Sequence, residues 1–199
     1  VKAFNFKRQY PEFLFPGKTQ FVTDDDEAVP VESVSLLDTA NPFTYITTYK
    51  AIRDWEPDLL IVRYWMSYFA PSLGWITRKM RKHCRVISIL DNVVPHEQRF
   101  FDTPLTKYFL SGSDAYVTLC EAVSKDLLRL RPDADFAVIQ HPLYSHFGEK
   151  LDREEAVRKL NLESGRRNIL FFGLIRTYKG LDILLNAFAG LSEEYQLII

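Results

Sequence analysis

Four short apolar runs, each separated from the next by a stretch of helical period, constrain this chain more than any other feature. DLLIVRY (58–64), RVISIL (85–90), AYVTLC (115–120) and FAVI (136–139) read as strands buried on both faces, as in parallel sheets. Residues 71–83, 105–110 and 121–130 carry apolar positions at helical spacing between them. Strand and helix in alternation predict an α/β fold, a Rossmann-like parallel sheet with helices on both faces. Two strands come first, one at the start of the chain and one over 28–37. Asn41-Pro42 then supplies an N-cap with proline at the first helical position. The helix it opens carries Phe43, Ile46 and Tyr49 on one side and stops before Pro57.

The connection HPLYSHFGEK (141–150) has neither period, and a helix over 152–160 leads from it into a second sheet. The expected division is therefore a domain over 1–141, then a hinge and the beginning of a second domain over 142–199, with a loop inside one larger domain as the alternative. The second segment contains NILFFGLIRTYKGLDILLNAF (168–188). Ile169 to Phe172 read as a strand buried on both faces, and Leu181, Leu184, Leu185 and Phe188 recur as a helix. The loop between them, with Gly173, Arg176, Lys179 and Gly180, thus sits at the carboxyl end of a parallel strand. That edge binds ligands in open sheets, and the helix start adds free amides and a positive dipole end. Two cations there suit a diphosphate. The same strand, glycine, loop and helix also describe βα units that bind nothing. Neither the GxxxxGK[ST] nor the GxGxxG phosphate fingerprint is present.

Loop DNVVPHEQRFFD (91–102) gathers Asp91, Asn92, His96, Glu97 and Arg99 after a buried strand, with Pro95 stiffening the approach to His96. Arg63, Tyr64 and Trp65 leave the neighbouring strand at the same edge. A structural histidine, a core tryptophan and a surface arginine are the plain alternatives.

Composition narrows the classes. At 199 residues and 47% hydrophobic content the chain can bury a substantial core, and a net charge of -1 offers no argument for nucleic acid. Cys84 and Cys120 lack ligand spacing, so neither zinc nor a disulfide framework is expected, and a reducing cytoplasm fits. The acidic run Asp24, Asp25, Asp26, Glu27 reads as a solvated loop rather than a DxD metal motif. No stretch reaches the roughly 18 uncharged apolar residues of a membrane span, and a signal peptide is not apparent. Arg78, Lys79, Arg81, Lys82 and His83, interleaved with Trp75, Ile76 and Met80, form a basic helix that can lie on anionic lipid, a solvated face being the simpler reading.

Six segments in order (FKRQYPEFLFPG, the 63–74 segment, DNVVPHE, AYVTLCEAVSKDL, HPLYSHFGE and FFGLIRTYKGLDILLNAF) resemble the group 1 (family 4) glycosyltransferases, enzymes of GT-B fold with two Rossmann-like domains. The resemblance implies transfer of a sugar from a nucleoside diphosphate donor to a glycan or lipid-linked acceptor, with retention, in glycan or polysaccharide biosynthesis. It implies donor diphosphate contacts at Gly173, Arg176, Lys179 and Gly180. Many relatives place the arginine directly after the glycine; here that position is Leu174. It implies sugar or acceptor binding by Arg63, Asn92 and Glu97, and catalytic roles for His96 and Asp91. Many relatives have histidine where this chain has Asp91, and His96 serves equally well as a binding residue. No metal or other cofactor is implied, and the 141–150 connection takes the part of a hinge. The cysteine usage points to a cytoplasmic location and the basic helix to peripheral contact at the inner membrane face, while the glycan-synthesis setting follows from the resemblance. So do a strand and glycine-rich loop ahead of Val1 and the remainder of the nucleotide-binding domain after Ile199, without which the 199 residues are expected to be inactive. A nucleotide-sugar epimerase and a non-catalytic nucleotide-sugar-binding or scaffold protein are the alternatives.

Overall fold

Among the described residues every strand pairing is parallel. The computed structural model describes residues 1–11, 32–95, 97–141 and 148–199, and it contains two compact units, Val1–Pro142 and Leu143–Ile199. In the first, β1 (Ala3–Arg8) pairs with β2 (Ser33–Asp38), and α1 (Pro42–Asp54) follows. A separate four-stranded sheet has the order β3 (Leu59–Tyr64), β4 (Arg85–Leu90), β5 (Ala115–Thr118), β6 (Phe136–Val138). Its crossovers are α2 (Ala70–Met80), α3 (Asp102–Leu110) and α4 (Glu121–Leu130). The α/β, Rossmann-like character expected from the apolar runs is present.

Register puts Val86, Ser88 and Leu90 of β4 level with Leu60, Val62 and Tyr64 of β3, and Tyr116 and Thr118 of β5 continue the row. This row faces the helices. Tyr64 stacks on Phe109 of α3 at 4.0 Å between centroids and shares a 3.0 Å hydrogen bond with Thr106. Buried hydroxyls pair among themselves, Ser88 with Ser113 at 2.6 Å and Thr118 with Ser124 at 3.0 Å, so the polar members of the row leave no unmet bond. Each large apolar side chain buried here contributes about 1.5 to 3 kcal/mol. Two glycines let the helices approach. A Cβ on Gly74 would meet the Tyr108 ring at 2.8 Å, and one on Gly112 would meet Thr77 Oγ1 at 2.1 Å.

Several expectations are corrected. Helices were expected on both faces; among the described residues α1 to α4 stand on one, contributing Ile52, Ile76, Phe109 and Leu127 to a single core. Right-handed crossovers that all step in the same direction along a sheet must lie on the same side of it. The other face keeps Leu59 43% and Ile61 57% exposed. Asn41 caps α1 through its side chain, which accepts from Phe43 N at 3.1 Å, and Pro42 opens the helix as expected. The buried stripe of α1 differs, because Thr48 and Ile52 face inward while Phe43 and Ile46 are exposed. The described part of the second strand begins at Ser33, and residues 28–31 of its expected span lie outside the described residues. The helix expected to reach His83 ends at Met80, and β5 stops at Thr118 because Cys120 is the extended residue preceding α4.

The second unit contains α5 (Arg153–Lys159), β7 (Arg167–Leu170), α6 (Leu181–Phe188) and β8 (Tyr195–Ile198), with β7 and β8 in register from Arg167↔Tyr195 to Leu170↔Ile198. Asp152 caps α5 by accepting from Glu155 N at 2.8 Å. Gln196 ties the sheet to the preceding turn by donating to Glu163 O at 2.9 Å and Asn168 Oδ1 at 2.6 Å. The expected doubly buried strand is corrected on two points. It ends at Leu170, where its partner β8 also ends, and Leu170 and Phe172 are exposed because the described residues of this unit place no layer over them.

Candidate functional site

The loop after β7 is shaped by two left-handed glycines. Phe171 N still donates to Ile198 O at 2.8 Å, after which Gly173 turns the chain at φ 118°. That angle is one an L side chain rarely adopts. The chain then makes a single 3-10 turn, Thr177–Lys179, closed by Lys179 N donating to Arg176 O at 3.0 Å. Gly180, at φ 67°, ends this turn and starts α6 at once. Its own N–H is used by Thr177 O, and among the described residues no side chain caps α6, so the first-turn amides beyond Gly180 point out of the helix start with the positive end of its dipole. Apart from Gly180 the loop is exposed from Phe172 through Lys179.

Lys179 folds back across this turn. A Cβ built on Gly173 would lie 2.6 Å from its Nζ, so the ammonium occupies space that only a glycine leaves free. Gly173, Lys179 and Gly180, picked out from sequence as neighbours in a phosphate-holding loop, are thus brought together. Arg176 shares the loop through its backbone. Among the described residues no carboxylate pairs with Arg176 or Lys179. Two exposed cations beside a helix start can receive a dianionic ligand without first breaking an ion pair.

In the first unit the carboxyl ends of the strands carry the second group. Asp91 N donates to Tyr64 O at 2.9 Å, continuing the ladder one residue past β4, and this sets the carboxylate beside β3. Arg63 Nε donates to Asp91 Oδ2 at 2.9 Å. The other oxygen, Oδ1, is buried with no hydrogen-bond partner among the described residues. Asn92 and Glu97 are exposed on the same loop, anchored by the buried Val93. His96 lies outside the described residues.

The structure adds residues that the sequence reading passed over. Asp102, 4% exposed, accepts from Ser67 Oγ and, at 2.6 Å, from Arg99 N, pinning the end of the loop to the turn after β3. Arg8 binds Asp38 through two hydrogen bonds of 2.9 and 2.7 Å, an ion pair across β1 and β2 that parallels Arg63–Asp91 across β3 and β4. Burial acts to raise the Asp38 pKa, but the Arg8 guanidinium and the Ala40 amide outweigh it and hold the carboxyl below its ordinary value. Tyr10 accepts from Trp65 Nε1 at 3.0 Å and stacks on Tyr68, and burial pushes its phenol upward. An arginine or aspartate at each strand's carboxyl end was the available signal. Pairing partners 28 and 30 residues apart could not be read without the sheet.

Fold and site together define a chain of α/β class with a Rossmann-like parallel sheet. Compared with known proteins, it matches no family model and no curated sequence. Among the described residues no His, Cys, Asp and Glu cluster is arranged to hold a metal, and no helix is long and apolar enough to cross a membrane.

Proposed function

We propose that this chain is part of a glycosyltransferase of GT-B architecture that moves a sugar from a nucleoside diphosphate onto an acceptor hydroxyl with retention, in glycan or polysaccharide synthesis. The observation that carries the reading is the Lys179 ammonium held against Gly173 at the uncapped start of α6. The ordered motifs resembling the family support it. In this reaction the bond from the anomeric carbon to the diphosphate oxygen breaks, and the acceptor oxygen forms the new bond as it gives up its proton. Negative charge grows on the leaving diphosphate. Lys179, Arg176 and the α6 amides stabilise that charge, each preorganised donor contributing about 10²- to 10³-fold in rate. With protein cations in this role the reaction needs no divalent metal. Arg63, oriented by Asp91, serves with Asn92 and Glu97 in binding the sugar or acceptor, and His96 is the candidate for proton transfer at the acceptor.

The test uses the intact protein. A panel of nucleoside diphosphate sugars is screened by thermal shift, and the stabilising donor is then incubated with and without acceptor. Acceptor-dependent release of nucleoside diphosphate is the expected result. Conversion of the donor to an isomer without acceptor would identify an epimerase, and binding without turnover a scaffold protein. Lys179→Ala should retain the fold and lose at least about tenfold in donor turnover, and wild-type turnover in that variant would sink the assignment.

A further inference from the structure

The loop that carries Asn92 and Glu97 is fastened at both ends to one short stretch of chain, Arg63 to Ser67, where β3 ends and the next turn begins. At its leading end Asp91 N donates to Tyr64 O and Arg63 Nε to Asp91 Oδ2, both at 2.9 Å. At its trailing end Asp102 accepts twice, from Ser67 Oγ on one carboxylate oxygen and from Arg99 N on the other at 2.6 Å. Asp102 N returns a bond to Arg99 O at 3.1 Å, which closes the last turn of the loop reciprocally. One turn further along α3, Thr106 meets the Tyr64 hydroxyl at 3.0 Å. Between the two ends, buried Val93 anchors the loop to the core.

We propose that Asp102 is a positioning residue for the acceptor side of the reaction. Through Ser67 and Arg99 it locks the 91–102 loop to the exit of β3, so that Arg63, Asn92 and Glu97 are presented as one preformed surface. The reaction it serves rests on the glycosyltransferase reading, whereas the clasp itself rests on the hydrogen bonds alone.

The two ties are of unequal strength. The Arg63 side chain is more than half exposed, so water screens the leading pair and leaves it weak. Ser67 and Asp102 are both buried, and a hydroxyl–carboxylate bond shielded from water is charge-assisted and strong. The trailing tie therefore decides how firmly the loop is held. Asp102 is too deeply buried to touch a substrate and acts through the backbone it fixes. Its loss frees the segment from Glu97 to Arg99, and in a well-aligned site a displacement of about 1 Å is enough to cost about 100-fold in rate.

The test compares wild type with Asp102→Ala, Ser67→Ala and Asp102→Asn in the intact protein, well below each melting temperature. Asparagine accepts from Arg99 N through its oxygen and donates to Ser67 Oγ through its amide, so it keeps both bonds. Amide exchange over residues 97–101 should quicken at least about tenfold in Asp102→Ala, less in Ser67→Ala, and stay within about twofold of wild type in Asp102→Asn, with β4 and α2 unchanged in all three. With the donor that the thermal-shift panel identifies, acceptor kcat/KM should fall at least about tenfold in Asp102→Ala and less in Ser67→Ala, while donor KM holds and Asp102→Asn restores activity. Exchange that rises evenly across the first unit, alanine variants with normal acceptor kinetics, or an Asp102→Asn as impaired as Asp102→Ala would overturn the proposal. Ser67→Ala, which leaves the Arg99 bond in place, decides the matter should Asp102→Ala fail to fold. A wild-type protein that turns over no donor would end the glycosyltransferase reading, and the exchange measurements would still decide whether Asp102 holds the loop.

Discussion

Lys179 Nζ and Gly173 Cα are packed so closely that a methyl group on Gly173 would sit 2.6 Å from the lysine nitrogen. The glycine serves twice, permitting a backbone at φ 118° and leaving room for the ammonium. Gly173→Ala should therefore cost about 1 to 3 kcal/mol in backbone strain and displace Lys179. Donor kcat/KM should fall about tenfold, and Gly173→Ala with Lys179→Ala should be no slower than Lys179→Ala alone, because both act on one group. Additive losses in steady-state kinetics would separate the two residues.

Tyr64 supplies an alkaline prediction. Burial beneath α3 pushes its phenol up to about 12, despite the opposing hydrogen bond with Thr106. A group whose folded pKa is raised contributes stability fully present below the unfolded value near 10, and that contribution is lost as pH rises toward 12. A shift of this size is worth about 2 to 3 kcal/mol. Urea melts between pH 9 and 12 should show the decline in the wild type and a shallower one in Tyr64→Phe.

Gly112 is a packing constraint. A Cβ there meets Thr77 Oγ1 at 2.1 Å and Thr77 Cβ at 3.0 Å. Gly112→Ala should destabilise by about 1 to 3 kcal/mol. Adding Thr77→Ala removes the closest atom, so the double variant should recover part of the loss relative to the sum of the single changes. Chemical denaturation of the four proteins in the cycle measures this directly.

The Arg63–Asp91 pair should matter to binding more than to stability. Its arginine side chain is 58% exposed, so water screens the interaction. A double-mutant cycle on unfolding should give a coupling of about 1 kcal/mol or less, decreasing in high salt. Arg63→Ala should instead raise the KM for acceptor. A large coupling to stability with unchanged acceptor KM would assign the pair a structural role.

Much of the framework was legible in the residues. The apolar runs at 58–64 and 85–90 became β3 and β4, and Asn41-Pro42 became the start of α1, because caps and hydrophobic runs act locally. The phase of α1 was not legible. Phe43 and Ile46 form as good a helical stripe as any, yet Thr48 and Ile52 are buried, because the face that docks depends on where the sheet and α2 stand. The confinement of α1 to α4 to one face followed from the order of the strands and the hand of their crossovers.

The sequence by itself determined the alternation of strand and helix and the gathering of Gly173, Arg176, Lys179 and Gly180 in one loop, since neighbours along a short loop stay neighbours in space. Only the tertiary structure decided that Arg63 meets Asp91 and Arg8 meets Asp38, that Asp102 pins the 91–102 loop, and that β1 and β3 face each other across a groove. Those relationships join residues far apart in the chain. Parallel pairing register and crossover hand set them, and neither is written in any single segment.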